Sequence, residues 1–194
     1  MPRLLKGLAV CSLIGCLIGL ALPSQRVLAQ QVIAIPLANP SFEDNRLRGQ
    51  SHPGSVTGWE ITIGGVIELS AKRNSKSVFS GDVSTTHGNA AAYLTRTGTA
   101  TQRIKETIEP GMRYTLSVAV GQRTDRGPAQ YAVELLAGDA VLATSSEPVP
   151  NPGTFVRTAA TVEIDDTHPA IGQPISIRLA KKKGDQISFD NVRL

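Results

Sequence analysis

The sequence predicts an all-β protein in which antiparallel strands form a β-sandwich of the jelly-roll type. Apolar and polar residues alternate with a period of two, and glycine and proline turn signals separate the alternating runs. No run has the 3.6-residue period of a long amphipathic helix. Residues 30–194 are predicted to form a single domain, which is large enough to bury one hydrophobic core.

The alternation is clearest in three runs. In "RYTLSVAVG" (residues 113–121) every second residue is apolar, and the same holds for "QYAVELLAG" (130–138) and "PISIRLA" (174–180). Every second side chain of a strand lies on the same face of a sheet. Each run is therefore predicted to be a strand with one buried face.

Turn signals lie between these runs. Pro110-Gly111 is typical of a type II turn, because proline suits its second position and glycine its third. Gly138-Asp139 and Gly184-Asp185 each begin with glycine between two alternating runs, which is the pattern of a two-residue hairpin loop. Both are predicted to join neighbouring strands of one sheet.

Residues 1–29 have the pattern of an export signal peptide. Arg3 and Lys6 precede an apolar run of fifteen residues (8–22), which is shorter than the roughly 20 residues of a membrane-spanning helix. The small residues Val27 and Ala29 then predict cleavage after Ala29. We expect an exported protein that is secreted or resides in the periplasm or cell envelope.

A second interpretation of this leader stays open. "LIGC" (13–16) fits the pattern of a lipoprotein signal, in which a lipid on Cys16 would attach the protein to a membrane. The apolar run continues beyond Cys16 to Leu22, whereas the residues after a lipidated cysteine are usually polar. This continuation favours cleavage after Ala29.

Charge argues against a nucleic-acid partner, and the positions of the cysteines exclude disulfide bonds in the mature domain. The formal net charge of the whole chain is +4, but removal of Arg3, Lys6 and Arg26 leaves 17 of the 20 basic residues against 16 acidic ones. No nucleic-acid partner is therefore implied, because such a partner requires a basic face. Both cysteines lie in the leader, so core burial, hydrogen bonds or a metal must stabilise the mature domain.

Four short motifs occur in a suggestive order. They are "NPSFED" (39–44), "GW" (58–59), "YTLSVAVG" (114–121) and "FDNVRL" (189–194). Together they resemble galactose-binding-like jelly-roll domains, and are similar to bacterial carbohydrate-binding modules and their stand-alone exported relatives. The resemblance covers residues 32–194 and implies carbohydrate binding.

The same resemblance implies a structural calcium ion where the first and last strands lie together, with Glu43 and Asp190 as ligands. Calcium accepts six to eight oxygen ligands and would relieve the repulsion between two adjacent carboxylates. The alternative is that these acids form surface ion pairs with Arg46 or Arg193. The apolar phase changes after Phe189, which predicts a β-bulge at Asp190-Asn191.

Two places could contact a glycan. The loop "GQRTDRG" (121–127) offers side chains that can hydrogen-bond hydroxyl groups or acidic sugars, namely Gln122, Arg123, Asp125 and Arg126. Trp59, the single tryptophan, could stack against a sugar ring. However, Trp59 alternates in phase with Ile61 and Ile63, which favours a place in the core.

No catalytic motif is evident. The three histidines lack zinc-ligand spacing, the mature chain has no cysteine, and neither a G-x-S-x-G nor a G-x-x-x-x-G-K pattern occurs. The sequence therefore predicts a non-enzymatic, exported binding module for a glycan or another extracellular surface, braced by calcium. The alternatives are a structural or adhesive cell-envelope protein without a sugar ligand, and a hydrolase of an unrecognised kind.

Overall fold

The computed structural model describes residues 32–45 and 51–194. The predicted leader, with its cleavage after Ala29 and the alternative at Cys16, lies outside these residues, as does Arg46. No helix in the described part is long and apolar enough to cross a membrane. The strands are β1 (Ser51–Pro53), β2 (Glu60–Ile61), β3 (Gly64–Glu68), β4 (Lys72–Arg73), β5 (Lys76–Ser77), β6 (Ala90–Thr95), β7 (Thr99–Thr107), β8 (Arg113–Gly121), β9 (Ala129–Ala137), β10 (Ala140–Ser145), β11 (Phe155–Glu163), β12 (Pro174–Gly184) and β13 (Gln186–Arg193).

Two antiparallel sheets form the sandwich, which confirms the predicted fold class. A six-stranded sheet has the order β1-β3-β6-β13-β8-β11, and a five-stranded sheet has the order β10-β9-β12-β7-β2. The short strands β4 and β5 pair only with each other, within the connection that joins β3 to β6.

The inner faces of the two sheets make one hydrophobic core. Phe189 of β13 meets Tyr131 of β9 edge to face, with ring centroids 6.2 Å apart. The apolar residues of the three alternating runs are all buried, as predicted: Tyr114, Leu116, Val118, Val120, Tyr131, Val133, Leu135, Ile175, Ile177 and Leu179.

One predicted hairpin is confirmed and the other is wrong. Gly138-Asp139 joins β9 to its partner β10, with Gly138 at a φ of 56°. Gly184-Asp185 instead carries the chain from one sheet to the other, because β12 pairs with β7 and β9 while β13 pairs with β6 and β8. The crossing requires glycine at position 184, because a Cβ there would lie 2.0 Å from the backbone oxygen of Pro128.

An acidic side chain on the five-stranded sheet is stabilised by two cations. Glu134 of β9 accepts hydrogen bonds from Lys182 (3.0 Å) and from Arg178 of β12. Burial raises the pKa of Glu134, but the hydrogen bonds and charges of Lys182 and Arg178 outweigh burial. The net effect places the pKa of Glu134 below its usual value of 4.5.

Replacement of Glu134 by glutamine is expected to lower the free energy of unfolding by about 1 kcal/mol at pH 7, because the negative charge that pairs with both cations is lost. The loss is no larger because both cations are partly exposed and can reach water. Because the pKa of Glu134 is lower in the folded state, its ionised form stabilises the protein above pH 4.5. This stabilisation is lost as the pH falls through the folded-state pKa. In urea unfolding, the difference in stability between wild type and Glu134→Gln should therefore be smaller at pH 3 than at pH 7. Glu163→Gln, which removes the exposed pair with Arg113, should have no measurable effect at either pH.

Candidate functional site

The two ends of the described domain meet, as the resemblance to jelly-roll domains implied. The amide of Ile35 donates to the carbonyl of Leu194 (2.8 Å), and the amide of Val192 donates to the carbonyl of Pro40 (2.9 Å). Phe42 and Phe189 both enter the core, where Phe42 packs against Trp59 with ring centroids 5.4 Å apart. The two motifs are therefore built alike. In each, the phenylalanine is buried in the core and the carboxylate that follows it lies near the place where the two ends meet.

The carboxylates of Glu43 and Asp190 bind the same short segment, residues 87–90. Glu43 Oε1 accepts from the amides of Asn89 (2.8 Å) and Ala90 (2.6 Å), and Asp190 Oδ2 accepts from the amide of His87 (2.8 Å). A Cβ on Gly88 would lie 2.4 Å from the Glu43 carboxyl carbon. A side chain at position 88 would therefore fill the space that Glu43 occupies.

Asp190 is fully buried. Burial raises the pKa of Asp190 to about 7, and the negative charge of Glu43 adds to the increase, although hydrogen bonds from the His87 and Asn191 amides oppose it. Asp190 forms no ion pair within residues 32–45 and 51–194. Arg193, the predicted ion-pair partner within these residues, donates to the side chain of Asn191 instead (3.0 Å).

The predicted β-bulge is present beside Asp190. The register between β13 and β8 shifts between Asp190 and Arg193, and Asn191 has a φ of 49°. The described residues contain no cluster of three His, Cys, Asp or Glu side chains that could hold a metal ion. Carboxylate oxygens such as those of Glu43 and Asp190 are nevertheless the donor type that calcium accepts.

The side of the six-stranded sheet that faces away from the core forms a second surface, here called the outer face. Strand register places Tyr93, Ser188, Gly121 and Phe155 opposite one another on β6, β13, β8 and β11. Asp190, Ala119 and Arg157 form the next row. The outer face therefore adjoins the junction where the two ends of the domain meet.

The connection between β3 and β6 (residues 69–89) covers this outer face. Phe79 from the connection packs against Phe155 of the sheet, with ring centroids 5.0 Å apart. Arg157 of β11 contacts the connection by donating a hydrogen bond to the carbonyl of Thr85 (2.8 Å). The apolar cluster formed in this way contains Ile67, Leu69, Ala71, Val78, Phe79, Ala91, Ala119 and Phe155.

The loop predicted to bind a glycan is largely satisfied by its own contacts. Gln122 is buried and donates to the carbonyls of Arg126 (3.2 Å) and Gly127 (2.8 Å). Arg123 donates two 2.8 Å hydrogen bonds to Asp125, and Arg126 lies 3.9 Å from Asp185. These contacts give Gln122 a structural role and leave the charges of Arg123 and Asp125 paired.

Trp59 is in the core rather than at a binding surface. It is 6% exposed, and its indole nitrogen donates to the carbonyl of Asn39 (3.2 Å). Its ring contacts Phe42, so the aromatic face that a sugar would need is covered. The core placement predicted for Trp59 is confirmed, although Ile63 in the same phase is 38% exposed.

Sequence reasoning missed the residues of the outer face. Tyr93 and Phe155 carried no predicted direction, and Ser188 lay unnoticed between the core residues Ile187 and Phe189. Gln186 and Ser188 alternate with those core residues, and polar residues opposite a core face usually indicate contact with solvent. Their burial could not be predicted, because it depends on what packs over the sheet and not on the pattern along β13.

Comparisons with known proteins indicate the family. A family model described as HpiC1-like, HpiC1 cyclase, matches residues 33–194. The chain is 26% identical to the crystal structure of the Stig cyclase Fisc from Fischerella sp. TAU in complex with (3Z)-3-(1-methyl-2-pyrrolidinylidene)-3H-indole, with a TM-score of 0.73 over 83% of this chain and 96% of that chain. It is 25% identical to a cyclase from Fischerella sp. TAU in complex with 4-(1H-indol-3-yl)butan-2-one, with a TM-score of 0.74 over 84% and 96%.

Other comparisons add little beyond fold. A tailspike domain of bacteriophage CBA120 is 15% identical over 80% of this chain and 20% of that chain, and its TM-score of 0.51 shows a shared fold alone. No curated protein matches the sequence. The resemblance to galactose-binding-like domains is thus confirmed for the β-sandwich but not for a specific galactose-binding family.

The family match overturns several predictions made from the sequence. The non-catalytic glycan-binding module, its structural or adhesive alternative, the absence of enzymatic activity and the polysaccharide partner are all contradicted by the cyclase family and its indole-bound structures. The error has a chemical reason. The motifs searched for mark nucleophiles, zinc ligands and phosphate loops, whereas ring closure can be promoted by the shape and buried polar groups of a pocket.

Proposed function

This chain belongs to the HpiC1-like family, and on that premise we propose that it is a cyclase that closes a ring within a small, indole-bearing molecule. The observation that carries this proposal is the match of the HpiC1 cyclase model along residues 33–194. The two Fischerella cyclases in complex with indole compounds support the substrate class, because each is covered over 96% of its length.

Ring closure makes two demands that this fold can meet. The reacting ends of one molecule must be held together, which removes much of the entropic barrier, and water must be kept from any cationic intermediate. The outer face beneath residues 69–89 is an apolar, covered surface with aromatic side chains. An isomerising ring closure is also balanced within the substrate, because a proton gained at one atom is released from another.

We also propose that a structural calcium ion is held by Glu43 and Asp190. The support is geometric, since both carboxylates bind residues 87–90 at the junction of the two chain ends. When bound, calcium would neutralise the two negative charges and would tie the ends of the domain to the segment that leads into β6. It would thereby brace the edge of the outer face.

The leader supports a proposal on location. We propose that the mature protein begins at Gln30 and is secreted or resides in the periplasm or cell envelope, because residues 1–29 have the pattern of an export signal. The intact mass of protein recovered from an exporting host would distinguish cleavage after Ala29 from lipidation at Cys16.

The cyclase proposal can be tested with a panel of indoles that carry an unsaturated side chain long enough to reach the ring. The expected result is a product of unchanged mass and different chromatographic retention, whose NMR spectrum shows a new ring and the loss of an alkene signal. Heat-denatured protein is the control. Absence of turnover on every substrate by protein that shows a cooperative thermal transition would contradict the proposal.

A further inference from the structure

We propose that the outer face beneath residues 69–89 is the substrate site, and that Ser188 and Gln186 donate hydrogen bonds to an acceptor atom of the substrate. The inference rests on the proposed cyclase function and adds the place of binding and the chemistry of recognition. It begins from two polar side chains of β13 that have no partner.

Ser188 and Gln186 are buried without hydrogen bonds. Ser188 is 0% exposed and Gln186 is 3% exposed, and neither the Ser188 hydroxyl nor the Gln186 side-chain nitrogen has a partner within the described residues. Buried donors in native proteins are nearly always paired, because an unpaired donor loses its hydrogen bonds to water without compensation. Two such donors, two residues apart on one strand, indicate a polar partner that binds from outside the chain.

Strand geometry directs both side chains toward the outer face. Ile187 and Phe189 belong to the core, and side chains alternate along a strand, so Gln186 and Ser188 lie on the opposite side of β13. Register places Ser188 between Tyr93 of β6 and Gly121 of β8. The two donors therefore lie on the outer face, on the side of the sheet that residues 69–89 cover.

Aromatic rings flank these two donors. Gly121 has no side chain, and the ring of Phe155 lies over it: a Cβ at Gly121 would be 2.4–2.6 Å from three atoms of that ring. Phe79 packs on Phe155 from above, and Tyr93 lies on the opposite side of Ser188. Two hydrogen-bond donors flanked by aromatic rings suit a flat aromatic ring that carries one hydrogen-bond acceptor.

The positive charge of Arg123 offers little to an anionic ligand. Burial raises the pKa of Tyr93, and the charge of Arg123 lowers it. Asp125 engages Arg123 through two hydrogen bonds and also contacts Arg73 (3.4 Å). Because the guanidinium of Arg123 is already paired, an anionic ligand would gain little from it.

The test uses two variants that remove a donor and keep the approximate volume, Ser188→Ala and Gln186→Leu. The dissociation constant of 4-(1H-indol-3-yl)butan-2-one should increase about tenfold in each, since one hydrogen bond contributes on the order of that factor. The melting temperature should not fall, because neither the Ser188 hydroxyl nor the Gln186 nitrogen has a hydrogen-bond partner among the described residues. Ser176→Ala, in β12 of the other sheet, is the matched control and should leave the dissociation constant unchanged.

The outcomes separate this inference from the cyclase proposal. Wild-type protein that binds the ketone with amide NMR shifts at Gly121 and Ser188 supports the site, even if every cyclisation assay fails. Equal dissociation constants for wild type and both variants, or shifts confined to other strands, would overturn the site while leaving the cyclase proposal intact. A wild-type protein that does not bind the ketone would also overturn it.

Discussion

Removal of calcium is expected to lower the melting temperature of this protein by about 8–16 °C. An ion that binds only the folded state at a thousand times its dissociation constant stabilises that state by about 4 kcal/mol, and 1 kcal/mol corresponds to roughly 2–4 °C in a domain of this size. The reason for a large effect is local. Asp190 is fully buried near Glu43, and its hydrogen-bond partners in the described residues are the amides of His87 and Asn191, so calcium would relieve the repulsion between the two carboxyl groups.

Differential scanning fluorimetry in millimolar calcium and in excess chelator would measure the change. Glu43→Gln should greatly reduce the difference in melting temperature between calcium and chelator, because it removes one of the two proposed ligands. Glu60→Gln, the same substitution at an exposed position of β2, should keep the shift. Equal melting temperatures with calcium and with chelator would refute the calcium proposal and leave the two carboxylates as ligands of the backbone amides of residues 87–90.

Truncation of Phe189 to alanine is expected to lower the free energy of unfolding by about 3–5 kcal/mol. The ring is fully buried at the centre of the inner face of the six-stranded sheet, where its neighbours across the strands are Ala92 and Val120. It also makes the edge-to-face contact with Tyr131 of the opposite sheet. Since Ala92 is small and strand positions are constrained by hydrogen bonds, the surrounding residues cannot fill the cavity.

Urea denaturation of the purified variants would give this value. Phe189→Leu should lose distinctly less than Phe189→Ala, because much of the volume is retained. Val141→Ala, at a position that is 45% exposed, should change stability by less than about 0.5 kcal/mol. A loss below 1 kcal/mol for Phe189→Ala would mean that the terminal strand is not integral to the core.

Local patterns were sufficient to predict much of the fold. Alternation in residues 113–121, 130–138 and 174–180 predicted strands with the correct buried faces, because the period of side chains along a strand is a property of the backbone itself. The phase change after Phe189 predicted the bulge for the same reason. Gly184-Asp185 misled because a glycine-first turn can equally serve a hairpin or a crossing between sheets, and strand pairing decides which.

The sequence by itself determined the β-class and the buried faces, since both follow from the repeat of the backbone. The motifs at the two ends implied, through their family resemblance, that the chain ends meet. Only the tertiary structure decided which side chains share the outer face: Tyr93, Gly121, Phe155 and Ser188 come from four strands that are far apart in the chain. Strand pairing and the covering connection turn polar alternation into a buried donor pair. Burial depends on what packs above a residue, and no local pattern records that.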